Sequence, residues 1–263
     1  MHPVLLEFGF IKVFTYGLLV AGGFVMGIFL ASRLAAREGL EPERIVDLSF
    51  YVLVASLLGA RLLYVVIEHK YFLANPLEAF KIWKGGLVFY GGLMGAMAAG
   101  VVYIRKHDLP LWKVGDVIAP SLAIGQAIGR WGCFFAGCCY GVKTDVPWAI
   151  TFTDEKSLAP LNIPLHPTQI YLSLNALLIF AILIWLLKRK SFDGQVLWTY
   201  GVLYSIGRFI IEYFRGDDRG YAVDDLFSTS QFIGLFFLAL SVFMWIFLRQ
   251  RSARGPQARR RHA

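Results

Sequence analysis

The sequence predicts an all-α integral membrane protein, a bundle of about seven transmembrane helices with its N-terminus outside and its C-terminus in the cytoplasm. Of the 263 residues, 57% are apolar and only 17% are charged. Several windows of about twenty residues carry almost no charge, and basic residues bracket these windows. A soluble domain of this size carries more charge, so the composition excludes one.

Seven apolar spans are predicted, at residues 14–34, 46–66, 86–104, 116–136, 168–187, 194–214 and 229–248. As a helix rising about 1.5 Å per residue, each is long enough to cross about 30 Å of hydrocarbon. The spans lack the two-residue alternation of barrel strands, so helices are predicted. We expect one membrane domain over residues 1–248 and a basic, disordered cytoplasmic tail over residues 249–263, held near anionic headgroups.

Basic residues are distributed unequally between the two sides of the predicted bundle. Segments 33–45, 105–115 and 188–193 and the tail hold fifteen Lys and Arg, whereas the opposite side holds eight. The positive-inside rule therefore places the N-terminus outside. The first span has no preceding basic region, so we do not expect a cleaved signal peptide. The net charge of +8 reflects this topology, and we expect no nucleic-acid partner.

Three arginines fall inside spans two, four and six: Arg61, Arg130 and Arg208. These three helices run from inside to outside, and each arginine lies near the outer end. A cation inside a span costs free energy, so it is typical of a functional site facing the bundle interior; snorkelling to the headgroups is the alternative. For Arg208 a second alternative is neutralisation by Glu212, one helical turn further on.

Other polar and small residues lie at the same predicted level. Tyr90, Gly91 and Gly92 begin span three, where glycines permit close approach of either a ligand or a neighbouring helix. Tyr16 and Tyr204 lie near outer helix ends, where tyrosines also serve as interfacial anchors.

All three cysteines of the chain lie in GRWGCFFAGCCYG, residues 129–141. Their spacing, C-x4-C-C, differs from the paired cysteines of zinc sites, so we expect neither a metal ion nor another cofactor. A disulfide in an oxidising compartment stays open, although a role as small apolar side chains is favoured. At the start of span five, His166 is either a proton-transfer group or a helix cap.

The arginines indicate an anionic ligand available in the membrane, namely a phospholipid headgroup. The planar guanidinium binds phosphate through two hydrogen bonds and stays charged at any relevant pH. An anion or lipid transporter could use the same residues, but the sequence lacks the paired broken helices and internal repeat typical of transporters.

These motifs resemble those of the bacterial prolipoprotein diacylglyceryl transferase family. The resemblance covers nearly the whole chain, through TYGLLV, LGARLLY, WKGGLVFYGGLMG, GRWGCFFAGCCYG, HPTQIY and LYSIGRFIIEYFR. It implies a multi-pass enzyme of the bacterial cytoplasmic (inner) membrane. The implied reaction moves the diacylglyceryl group of phosphatidylglycerol to the lipobox cysteine of a preprolipoprotein signal peptide, forming a thioether and releasing glycerol phosphate.

The resemblance also assigns roles by position. Arg130 and Arg208 match the family's essential arginines, the first binding the headgroup phosphate and the second stabilising the leaving phosphate. Since the nucleophile comes from the substrate, no cysteine of the enzyme is required. The residues expected to bind the phospholipid are Arg130, Arg61, Tyr16, Tyr90, Gly91, Gly92, Cys133, Gly141 and Tyr204.

Three positions depart from the family pattern. Tyr90 replaces the usual histidine, Cys133 the usual asparagine, and Leu172 the usual glutamate. If the histidine is the general base, the chain lacks it, and His166 is a substitute; alternatively, the substrate thiol supplies enough thiolate by itself. These departures leave open a related phospholipid-group transferase with a different acceptor.

Overall fold

The computed structural model describes residues 3–8, 11–81, 85–217, 221–223 and 227–260. Within these ranges the chain is predominantly helical, and each predicted span overlaps one long helix. A 3-10 helix, Pro76–Phe80, follows a short helix that the sequence did not predict, α3. The α-helices are α1 (Thr15–Arg37), α2 (Pro42–Ile67), α3 (His69–Ala74), α4 (Phe89–Lys106), α5 (Leu111–Ala136), α6 (Thr168–Leu187), α7 (Gln195–Glu212) and α8 (Thr229–Arg260).

Short strands add a component that the all-α prediction did not include. They form three antiparallel pairs: β1 (Val4–Phe8) with β2 (Ile11–Phe14), β3 (Ile150–Thr151) with β4 (Pro164–Leu165), and β5 (Tyr221–Val223) with β6 (Phe227–Ser228). The first pair precedes α1 and the others lie in the connections after α5 and α7. Pairing gives the backbone groups of these non-helical segments hydrogen-bond partners.

Four helical segments are long and apolar enough to cross a membrane: α1, α2, α6 and Ser230–Arg254 of α8. Large apolar side chains such as Leu62, Leu178 and Phe236 are exposed on them. A soluble protein does not expose so much apolar surface, so the chain is a multi-pass membrane protein. The crossings by α4, α5 and α7, and the orientation of the termini, stay predictions.

The last helix extends further than the predicted span. α8 continues to Arg260, so the backbone of most of the segment predicted as a disordered tail is helical. This extension contains Gly255 and Pro256, the two poorest helix formers, so helix propensity does not explain it. Residues 261–263 lie outside the described residues.

The chain divides into two compact units, of which one is Ser32–Val114. Here α2 and α4 approach closely through glycines. A Cβ at Gly91 would lie 2.3 Å from the carbonyl oxygen of Gly59, and one at Gly92 would lie 3.2 Å from that of Ser56. The absence of side chains at these positions therefore sets the distance between the two helices.

The other unit consists of Met1–Ala31 and Gly115–Ala263. It holds α6, α7 and α8, nearly all of α5 and the first part of α1. α7 packs against both α6 and α8. A Cβ at Gly23 would lie 2.8 Å from the carbonyl oxygen of Gly125, so α1 and α5 also pack closely.

The carboxylate of Asp116, in the second turn of α5, caps the N-terminus of α7. Asp116 is 0% exposed. One oxygen accepts hydrogen bonds from the backbone N–H of Val196 and Leu197 at 2.9 and 3.0 Å, and the other from Gly194 at 2.9 Å and from Lys190 Nζ at 3.1 Å. The carboxylate thus satisfies N–H groups that have no partner within the helix and lies at the positive end of its dipole.

Replacing Asp116 by alanine is predicted to lower the free energy of unfolding by about 3 kcal/mol, because it leaves three backbone donors without an acceptor and removes one of the two carboxylates that bind Lys190. The matched control is Asp193→Ala. Asp193 binds the same Lys190 at 3.0 Å, but its side chain is 49% exposed, so a loss below about 1 kcal/mol is expected. Thermal unfolding of the purified protein in detergent measures both, and equal shifts would contradict the capping role.

Candidate active site

Arg130 lies near the end of α5 and is half-buried. Its guanidinium Nη1 points to the sulfur of Cys139 at 4.0 Å. Within the described part of the chain, no carboxylate forms an ion pair with Arg130. Among the described residues, the charge of Arg130 is therefore not offset by a carboxylate, which favours an anionic ligand.

Tyr16 lies at the start of α1, beside the last turns of α5. A Cβ at Gly132 would lie 3.1 Å from the carbonyl oxygen of Tyr16 and 3.4 Å from its ring. The Tyr16 side chain remains partly exposed. Tyr16 therefore packs against the turn of α5 that follows Arg130.

After α5 the chain reverses through residues 137–141, which we call the signature turn. Gly137 and Cys139 have left-handed backbones, with φ of 75° and 60°. A Cβ at Gly137 would lie 3.1 Å from the backbone nitrogens of Leu158 and Ala159, so glycine is favoured by the close approach of this backbone as well as by conformation. The reversal brings the sulfurs of Cys133, Cys138 and Cys139 within 4.8 Å of one another, and we call these three residues the cysteine cluster.

Two side chains at the start of α6 hold the signature turn. Thr168 Oγ1 donates to the carbonyl oxygen of Cys139 at 2.6 Å, and Gln169 Nε2 donates to that of Cys138 at 2.8 Å. Both side chains are fully buried. Both residues belong to the motif HPTQIY, but no role was predicted for either; a polar pair at the start of an otherwise apolar helix is the signal that could have indicated one.

Gly141 lies where three segments cross. Its N–H donates to the carbonyl oxygen of His166 at 3.0 Å, and the next N–H, of Val142, donates to that of Phe214 at 2.9 Å. A Cβ at Gly141 would lie 2.5 Å from the His166 carbonyl oxygen and 2.6 Å from that of Phe214. The glycine that closes the signature thus permits backbone contact with the chain before α6 and after α7.

Acidic and basic side chains alternate at the end of α7 in what we call the arginine cluster, residues Arg208, Glu212, Arg215 and Asp217. Glu212 Oε2 lies 2.7 Å from Arg208 Nη2 and 3.7 Å from Arg215 Nε. Asp217 binds Arg215 through both of its oxygens, at 2.6 and 2.7 Å. The ion pair with Glu212, given from the sequence as an alternative to a functional role for Arg208, is therefore formed, and Arg208 Nη2 also lies 3.4 Å from Ser230 Oγ.

Cys139 connects the two clusters. Hydrogen bonds with the Cys133 and Cys138 thiols and with the Arg215 guanidinium lower the pKa of the Cys139 thiol, although burial opposes this. Burial also acts to lower the pKa of Arg215, but Asp217 and Cys139 outweigh it and raise that pKa. Side chains of the turn after α5 and of the end of α7 therefore shift each other's pKa.

Tyr204, on the same helix as Arg208, is half-buried and stacks on Tyr200 with ring centroids 5.7 Å apart. The Tyr200 hydroxyl accepts a hydrogen bond from Gln126 Nε2 at 2.7 Å. Tyr204 therefore stacks on a residue of its own helix that a hydrogen bond joins to α5.

His166 is surrounded by aromatic side chains. Its Nδ1 lies 3.1 Å from the Tyr171 hydroxyl, which accepts a hydrogen bond from Trp148 Nε1 at 2.7 Å, and its ring packs edge-on against Phe214. The His166 ring is thus engaged with Tyr171 rather than capping α6. The sequence analysis did not identify Tyr171 or Trp148.

The remaining predicted site residues lie in the Ser32–Val114 unit. Arg61 is 7% exposed and donates to the carbonyl oxygens of Ala79, Gly85 and Glu78 at 2.9, 2.7 and 2.6 Å. Its guanidinium also lies over the rings of Tyr64 and Phe72.

These contacts give Arg61 a structural role, since its charge neutralises the carbonyl dipoles that end the 3-10 helix. The phospholipid contact expected for Arg61 stays a prediction. The close packing of α2 against α4 likewise accounts for Gly91 and Gly92, the helix-packing alternative of the sequence analysis. Tyr90, in the first turn of α4, is 51% exposed.

The model of the family described as prolipoprotein diacylglyceryl transferase matches residues 3–247 of the chain. The chain belongs to this family. The enzyme named phosphatidylglycerol–prolipoprotein diacylglyceryl transferase of Clostridium tetani is 36% identical, over 93% of this chain and 97% of its own length.

Relatives with the same name in Synechococcus elongatus and Thermosynechococcus vestitus are 36% and 39% identical. The alignments cover 95% and 81% of this chain and 89% and 81% of those proteins. The family predicted from the motifs is confirmed, and family membership makes the protein a membrane transferase of lipoprotein biosynthesis.

Replacing Gly141 by alanine is predicted to destabilise the protein by about 1–3 kcal/mol, because the new methyl group overlaps two carbonyl oxygens. Gly129→Ala is the matched control. No atom lies within 4 Å of the Cβ position at Gly129, inside α5, so this change is neutral or stabilising. Thermal unfolding in detergent compares the two variants, and a Gly141 variant as stable as the control would show that the crossing is loosely packed.

Proposed function

We propose that the protein transfers the diacylglyceryl group of phosphatidylglycerol to the lipobox cysteine thiol of preprolipoproteins. A carbon–sulfur bond forms, the bond from the same carbon to the phosphate oxygen breaks, and glycerol phosphate leaves with the electron pair. The thiol gives up its proton. Family membership and the names of the relatives support this reaction.

Arg130 is the residue on which the proposed site depends. Within the described residues its charge is not offset by a carboxylate, and its nearest polar contact is a sulfur at 4.0 Å. We assign it to the phosphate of the lipid headgroup, because a guanidinium can bind two phosphate oxygens at once. Tyr16, Cys133, Gly141 and Tyr204 complete the proposed phospholipid contacts in this unit.

Arg208 is assigned to the leaving phosphate, whose negative charge grows as the carbon–oxygen bond breaks. The 2.7 Å ion pair with Glu212 keeps its side chain in one orientation. Arg215, held between Glu212 and Asp217, is a positioning residue for this ion pair.

The thiol proton needs an acceptor other than the residue at position 90, since Tyr90 stands where the family usually has histidine. His166 is the proposed substitute. Its Nδ1 is engaged with Tyr171 at 3.1 Å, which leaves the other ring nitrogen to exchange a proton. Tyr90, exposed at the start of α4, is proposed to contact the phospholipid.

The proposed setting is the inner membrane of a bacterium. All seven long helices cross it, with the N-terminus outside and the basic C-terminal end in the cytoplasm. Residues 1–248 then act as one transferase domain that receives preprolipoprotein signal peptides. The departures at Tyr90, Cys133 and Leu172 favour one second candidate, a transferase that uses the same lipid but a different acceptor.

Complementation tests the proposed reaction. Cells depleted of their own transferase should regain lipidated lipoproteins, seen as a mass increase, when they produce this protein. Arg130→Ala should abolish the increase because the phosphate loses its cation, while Arg251→Ala, at an exposed arginine of α8, should retain it. If the wild-type protein inserts into the membrane but no lipoprotein is lipidated, the lipobox cysteine is not its acceptor. If the Arg130→Ala variant is active, Arg130 does not have the assigned role.

The roles of the two arginines are predicted to separate in steady-state kinetics. Arg208→Ala should lower kcat by about 100–1000-fold, because it removes stabilisation that develops only in the transition state. Arg130→Lys should mainly raise KM for phosphatidylglycerol, because lysine keeps the charge but cannot bind two phosphate oxygens at once. A common pattern of change in both variants would contradict separate roles.

A further inference from the structure

The cysteine cluster contains every cysteine of the chain, and the proposed transfer uses none of their thiols as a nucleophile. The three sulfurs lie within 4.8 Å of one another and are half-buried. Such proximity requires the chain reversal at residues 137–139, where a cysteine adopts a left-handed backbone. Non-glycine residues in this conformation cost free energy and are concentrated at functional sites.

The backbone that carries the sulfurs is held by neighbouring structure. The carbonyl groups of Cys138 and Cys139 accept hydrogen bonds from the buried Gln169 and Thr168, and the Cys138 thiol lies 3.7 Å from the carbonyl oxygen of Cys133. Cys133 is held by α5. The cluster is therefore a preorganised set of donors rather than three thiols on a mobile loop.

We propose that the cysteine cluster is a three-coordinate thiolate site for a soft monovalent cation, Cu(I). A trigonal ion with metal–sulfur bonds of about 2.3 Å places its sulfurs about 4.0 Å apart, so the observed separations need only a small contraction. Thiolates select soft ions, and Cu(I) accepts three sulfur ligands without a fourth. Structural zinc sites use four ligands, whereas this group of described residues offers three.

Two guanidiniums favour the deprotonated sulfurs that a metal requires. Arg130 Nη1 lies 4.0 Å from Cys139 Sγ, and Arg215 also interacts with this sulfur. Three thiolates carry a larger negative charge than one Cu(I) can offset, so adjacent cations lower the cost of holding them together. Half-burial leaves a path for the ion to enter.

The spacing C-x4-C-C argued against a metal site in the sequence because adjacent cysteines usually diverge. The left-handed turn removes that objection, since it directs both sulfurs toward Cys133. A disulfide is the other product that such proximity permits, but it would join only two of the three sulfurs. It therefore does not explain why the third lies within the same distance.

The experiment is a Cu(I) titration of the full-length protein, purified in detergent, reduced and kept free of oxygen. Competition with a chromogenic Cu(I) chelator gives stoichiometry and affinity, and X-ray absorption counts the sulfur neighbours. We expect one Cu(I) per chain with three sulfurs. Cys139→Ser removes a proposed ligand, so it should weaken Cu(I) binding by more than about tenfold, which is the smallest loss typical of changing a residue that only supports a ligand. His166→Gln should not change the affinity.

Several results would overturn the proposal. These are no stoichiometric binding, equal affinity in the variant with all three cysteines replaced by serine, tighter binding of Zn²⁺ than of Cu(I), or a disulfide that persists after reduction and blocks binding. The titration contains no phosphatidylglycerol and no peptide. Its outcome is therefore independent of whether the protein carries out the proposed transfer.

Discussion

The carboxylate of Asp116 is the contact on which the arrangement of the candidate site depends. It joins α5 to the N-terminus of α7 through three backbone N–H groups. Arg130 follows Asp116 by about 21 Å of helix, and Arg208 follows the start of α7 by about 20 Å. Since both distances start from one buried contact, the two arginines reach nearly the same height along their helices. The contact that determines how far along α5 and α7 the two arginines lie is thus at the end of these helices away from the candidate site.

At the other end of α5 and α7, the chain segments that follow or precede the helices are held together by backbone contacts. The signature turn, the chain before α6 and the chain after α7 meet at Gly141, with few intervening side chains. Asp116 fixes the relative height of α5 and α7, and the crossing fixes the separation of their ends. A phosphate-binding site needs both, because bidentate contacts tolerate little displacement of the guanidinium.

Much of this arrangement could be predicted from sequence. Apolar length located the long helices to within about five residues, except for the C-terminal end of α8, and motif resemblance identified the family. Local ion pairs such as Arg208 with Glu212 follow from helical spacing. Contacts between distant segments could not be foreseen. No role was predicted for Asp116 or Thr168, and Arg61 was expected to bind the phospholipid. Their partners are backbone groups, which leave no pattern in the sequence.

At Cys139, the backbone conformation favours a different residue type from the one that supplies a thiol. A left-handed conformation is most easily adopted by glycine or asparagine, so the chain would gain stability by losing this sulfur. Selection for a stable turn and selection for a thiol therefore act in opposite directions at one residue. A cysteine at such a position marks a place where side-chain chemistry outweighs conformational preference, a criterion that can be applied to any chain whose backbone angles are known.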